Sequence, residues 1–91
     1  MKALRGKSGI LHLFSEVIGE AGERKVVEAR SAEIREYDVI GFYAKVIDVG
    51  ARSGELVAPS CTREGRELAR LYGVGLRITG EDSGTTKVTA A

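Results

Sequence analysis

Asparagine and glutamine are absent from the chain, and cysteine, proline and histidine occur once each. The single Cys61 has no intramolecular partner, which excludes a disulfide framework and fits a reducing cytoplasm. Missing heat-labile amides, beside many ion-forming side chains, point to a thermophilic source. Long apolar runs are missing as well, since none approaches the roughly 20 residues that a membrane-spanning helix needs. Lys2, Arg5 and Lys7 stand near the start as in a secretion signal, but no long apolar segment follows them. Neither sign of charge prevails: 14 basic residues face 13 acidic ones, for a net charge of +1. The chain as a whole therefore exerts no pull on a polyanion, and contact with nucleic acid has to use a local patch. Lys2, Arg5 and Lys7 with Arg24, Lys25 and Arg30 form the one candidate patch. At 91 residues the chain makes one domain with a modest core.

What is present reads as strands alternating with helices. Residues 1–9 are basic and glycine-containing, and read as a loose arm. Ile10 to Ile18 admits two readings. Ile10, Phe14, Val17 and Ala21 fit a helical stripe capped by Ser8. Alternatively the segment is a strand that turns through Gly19-Glu20-Ala21-Gly22 into Val26-Val27, and this antiparallel hairpin is the favoured reading. Ser31 to Gly50 carries Ile34, Val39, Phe42, Tyr43, Val46 and Ile47 at spacings near three and four, a helix with Lys45 and Asp48 turned outwards. Glu55 to Ser60 is a short buried strand ended by Pro59. Thr62 caps a second helix, with Gly65, Leu68, Ala69 and Tyr72 on its inner face and Gly73 as its stop. Val74 to Thr79 is the last strand, and residues 81–91 are a polar tail.

The expected fold is α/β: a small mixed sheet in which an antiparallel hairpin is followed by strand, helix, strand, helix, strand, with residues 10–80 as a single domain. About four strands leave an edge or a face open, which points to a homodimer.

Within Arg24 to Ser31, Glu28 and Arg30 share one face of a strand and Val27 and Ala29 the other. A carboxylate and a fixed cation side by side are either half of a metal-dependent hydrolytic site or an ordinary surface ion pair. With the order of elements, three segments resemble the PD-(D/E)XK superfamily, the restriction-endonuclease-like nucleases. Val26-Val27-Glu28-Ala29-Arg30-Ser31 looks like the Glu-x-Lys strand of that family. Asp38-Val39 with Phe42 and Lys45 is similar to its following helix. Val57-Ala58-Pro59-Ser60 with Thr62, then Glu67-Leu68-Ala69 and Tyr72-Gly73-Val74, looks like its closing strand, helix and strand.

The resemblance implies that Glu28 and a second acid hold magnesium or manganese, which polarises a phosphodiester and activates water, with a lysine stabilising the nucleophile. Two positions depart from the family pattern. Arg30 stands where the lysine is expected, and Phe14-Ser15-Glu16 stands where an aspartate is expected. With the turn centred on Gly22, Glu16 faces Glu28 and the pair can share one cation. Shifted by one residue, the turn puts Ser15 there and leaves a single carboxylate.

The expectation is a nucleic-acid-associated protein with a DNA-nuclease site of Glu16, Glu28 and Arg30, and with Lys2, Arg5, Lys7 and Lys25 on the nucleic acid. Its rival is a dimerising scaffold that kept the fold and lost the site. His12 reads as structural, although it shares strand parity with Glu16. Cys61 precedes a helix N-terminus, where a thiolate is stabilised, yet burial is its expected role. Arg63, Arg66 and Arg70 read as a solvated helix face, and Tyr37 and Tyr43 as packing residues.

Overall fold

In a computed structural model that describes residues 1–80, strands β1 (Lys2–Arg5), β2 (Leu11–Phe14), β3 (Glu16–Ile18) and β4 (Lys25–Ala29) come first. Helix α1 (Glu36–Val49), strand β5 (Ser53–Ala58), helix α2 (Arg63–Tyr72) and strand β6 (Gly75–Ile78) follow. The expected polar tail, 81–91, lies outside the described residues. Two sheets form: β1 pairs with β2, and a mixed four-stranded sheet runs in the order β3-β4-β5-β6. The first pair of the larger sheet is antiparallel and the next two are parallel, as the α/β reading expects. No helix among the described residues is long and apolar enough to cross a membrane.

Right-handed crossovers taken twice in the same direction put both helices on one face of the larger sheet. That face presents Val26, Gly54, Leu56 and Ala58, all buried. At Gly54 a Cβ would stand 2.7 Å from Val46 and 2.8 Å from Phe42, so the absence of a side chain there lets α1 lie close to β5. Phe14 and Phe42 meet edge to face, with centroids 6.4 Å apart. Each large side chain buried in this way contributes on the order of 1.5–3 kcal/mol. Among the described residues the opposite face carries no helix. There Glu55 pairs with Arg77 at 2.7 Å and with Lys25 at 3.6 Å.

Three expectations need correction. Residues 2–5 are not a loose arm but a strand: Lys2 pairs with Phe14, and Arg5 with Leu11. The segment is too polar to carry a strand pattern, yet Leu4 packs against the core and seats it there. Helix α1 begins at Glu36, not near Ser31. The backbone before it is held by the end of β5: Arg30 N–H donates to Val57 O at 2.7 Å, and Ile34 N–H to Ser60 O at 3.0 Å. Ile34 is fully buried, but on an extended bridge to Cys61 and not on a helix. Finally, Tyr37 is exposed, while Tyr43 stacks on Tyr72 with centroids 4.8 Å apart.

Helix α2 forms as read. The Thr62 hydroxyl accepts from Gly65 N–H at 3.0 Å, and Gly73 ends the helix with a left-handed φ of 72°. Gly65 and Ala69 are buried, whereas Arg63 and Glu67 form an exposed pair at 3.5 Å.

Candidate functional site

The carboxyl end of β4 opens into a cleft of roughly 420 Å³. Glu28, Arg30 and Ser31 line one wall, Leu13 and Ser15 another, and Lys45 reaches in from α1. Strand alternation explains the first wall. Val26 is sealed under α1, so Glu28, two residues on, emerges on the same face where the helix cover ends. Lys45, expected to turn outwards, lies over the Phe14 ring at 5.1 Å from its centroid and donates to Leu13 O at 3.2 Å. Its long stem crosses apolar surface and delivers the ammonium to Glu28 Oε1 at 2.5 Å.

Glu28 Oε2 accepts from Arg30 at 2.8 Å, and the other arm of that guanidinium donates to Asp38 Oδ1 at 2.9 Å. Asp38 also accepts from Arg35 N–H at 2.9 Å, which satisfies an amide at the start of α1. Two carboxylates and two cations thus alternate across β4 and α1. The forked guanidinium suits Arg30 to its bridging position in a way an ammonium would not.

Glu16 is not part of this group. It pairs with Val27, and directly paired residues share a face, so Glu16 stands on the helix-free side, away from Glu28. The turn is centred between Ala21 and Gly22, half a residue from the register that would bring the two carboxylates together. Ser15 takes the place beside Glu28: its N–H donates to Val27 O at 2.8 Å and its hydroxyl accepts from Ala29 N–H at 2.9 Å. The expected Glu16–Glu28 metal pair is therefore not built, and the single-carboxylate register is the one adopted. Among the described residues no group of three or more His, Cys, Asp or Glu is gathered for a metal ion. Both Glu28 oxygens accept from cations, Oε1 from Lys45 and Oε2 from Arg30.

Of the basic residues read as contacts for nucleic acid, Lys2 and Arg5 lie on β1 and Lys7 on the turn after it. Arg5 donates to Gly9 O at 2.7 Å, bracing that turn. Lys25 is elsewhere, on the helix-free face with Glu55. His12, which reads as structural, faces the end of α1. Its Nε2 stands 2.7 Å from Asp48 Oδ2, which also accepts from the Ser8 hydroxyl at 2.7 Å. Asp48, expected to face outwards, thereby clasps the β1–β2 hairpin to the end of α1. The hydrogen bonds from Ser8 and His12 hold its carboxyl at about 2. Burial pushes the Cys61 thiol up, which disfavours the thiolate that a reactive cysteine uses.

Sequence reasoning missed Lys45 as a site residue. Its signal was present in the spacing: Lys45 lies three residues after Phe42 and one before Val46, beside the buried stripe and not opposite it. The chain matches no protein family model, no curated protein and no solved structure.

Proposed function

We propose that the protein binds nucleic acid as a reduced relative of the restriction-endonuclease-like nucleases. Arg30 and Lys45 take phosphate oxygens in the cleft, where Glu28 gathers the two cations and competes with phosphate for their charge. The observation that carries this reading is the delivery of Lys45 to Glu28 beside Arg30. It brings to the strand carboxylate the ammonium that the strand itself lacks. Support comes also from the order of elements and from the ordered basic hairpin next to the cleft.

Filter binding of a labelled DNA oligonucleotide tests the proposal. The Arg30→Ala and Lys45→Ala variants should each bind more weakly and flatten the salt dependence by about one phosphate. Undiminished binding in both removes the reading. Whether the cleft also hydrolyses phosphodiesters is decided by manganese calorimetry and a nuclease assay. Heat and cleavage that both vanish in Glu28→Ala restore the hydrolytic reading; no heat and no cleavage leave binding alone.

The rival reading, a dimerising scaffold, is favoured by Tyr37, Ile40 and Ile47, which are large, apolar and exposed along α1. Sedimentation tests it, and a monomer at all concentrations sets it aside.

A further inference from the structure

Resting on the nucleic-acid reading, we infer that the outer face of the β1–β2 hairpin takes unpaired bases, so that the ligand is single-stranded or locally opened nucleic acid, not intact duplex. Alternation along the hairpin separates its side chains into two sets. Lys2, Leu4, His12 and Phe14 share the inward parity: Leu4 packs on the core, His12 meets Asp48 and Phe14 is buried, while Lys2, opposite Phe14, stays exposed at the end of the hairpin. Ala3, Arg5, Leu11 and Leu13 turn outwards, as the pairing of Ala3 with Leu13 and of Arg5 with Leu11 requires. Leu11 and Leu13 are each 52% exposed, and Met1, of the same parity, is 86% exposed. Met1 and Leu13 also form part of the cleft lining, so the apolar face runs without a break into the wall that carries Arg30 and Lys45.

Charge identifies the occupant. The first fifteen residues contain Lys2, Arg5 and Lys7 and no carboxylate, and the one acid that meets the hairpin, Asp48, is taken up by Ser8 and His12. A second copy of this basic hairpin would set Arg5 and Lys7 against like charges, whereas a phosphate backbone complements them. Leucine and methionine carry no donors or acceptors suited to base edges. What they can cover in a nucleic acid is the apolar face of a base, and that face is open only where stacking and pairing have been given up. Sites that insert leucine or methionine between bases use the same contact. The hairpin is held for the task, since Asp48 fastens its turn through Ser8 and His12 and Lys7 N–H donates to Asp48 O at 2.9 Å.

Fluorescence anisotropy with three probes of one sequence tests the inference: a single strand, its blunt duplex, and the duplex with a single-stranded overhang. The single strand and the overhang should bind about tenfold or more tighter than the blunt duplex. Leu11→Ser and, separately, Leu11→Ala, exposed substitutions outside the cleft lining that leave the core intact, should abolish that preference while the duplex binds as before. Lys2→Ala/Arg5→Ala should weaken all three probes alike. Equal binding of strand and duplex by the unaltered protein, or a preference that survives the leucine substitutions, overturns the inference and leaves the phosphate-binding cleft standing. No binding to any probe overturns both. Binding to vesicles of anionic lipid with no preference among the oligonucleotides also overturns it.

Discussion

Glu28→Gln separates the structural from the functional use of the cleft, because the two respond with opposite signs. The carboxamide keeps the length of the side chain but carries no charge, so neither of the two cations that Glu28 now serves keeps an ionic partner in it. Lys45 loses a 2.5 Å ionic partner and keeps Leu13 O, while Arg30 loses a 2.8 Å contact and keeps Asp38. Glu28 is 15% exposed and Arg30 37%, so solvent screens part of the loss. Charge-assisted pairs of this partly covered kind are worth roughly 0.5–1 kcal/mol each, which places the destabilisation at about 1–2 kcal/mol. In a domain of this size that lowers the midpoint of thermal unfolding by roughly 4–8 °C for each kcal/mol. Binding moves the other way. Two cations without their shared anion become available to phosphate, and each phosphate newly neutralised steepens the dependence of log K on log salt by about 0.7 on a single strand and about 0.9 on a duplex. Thermal unfolding followed by circular dichroism, with anisotropy across a salt series, reads both quantities. A variant that binds more weakly at every salt concentration, with an unchanged slope, refutes the assignment of Arg30 and Lys45 to phosphate.

The Asp48 clasp sets a second expectation. Its carboxyl titrates at about 2 in the folded chain against 3.8 ordinarily, so the stability it contributes is complete above about pH 4 and is lost as the pH falls towards 2. Acid unfolding should therefore show a drop across this window that Asp48→Asn lacks; parallel profiles for the two proteins would exclude the clasp. Gly54→Ala places a methyl group 2.7 Å from Val46 and should cost about 1–3 kcal/mol in urea unfolding, and a neutral result would mean that α1 does not press on β5. Cys61, buried and with its pKa raised, should resist an aromatic disulfide reagent at neutral pH in the native protein and react fully in urea, so rapid native labelling would contradict its burial.

The elements that could be read from the sequence are those whose signals are local. Thr62 and Gly73 mark both ends of α2 because a cap needs only its own turn. The turn from Gly19 to Gly22 announces β4 because both glycines take positive φ, near 90°, where other residues are strained. Ser31 to Arg35 misled because Ile34 keeps helical spacing with Val39 and Phe42, yet its backbone amide is claimed by Ser60, which no window of local sequence contains.

Composition and periodicity determined by themselves an α/β chain with a hairpin, two helices and Glu28 beside Arg30 on a strand. Strand alternation and helix capping act over two to four residues, so those features do not depend on the rest of the fold. Tertiary structure alone decided which groups meet. A shift of half a residue in the turn sends Glu16 to the far side of the sheet and leaves Ser15 beside Glu28. The close seat of α1 on Gly54 brings Lys45 over Phe14 to the same carboxylate, and the end of that helix clasps a hairpin whose first strand looked like an arm. Register and packing distance are properties of two segments at once, and neither segment encodes them separately.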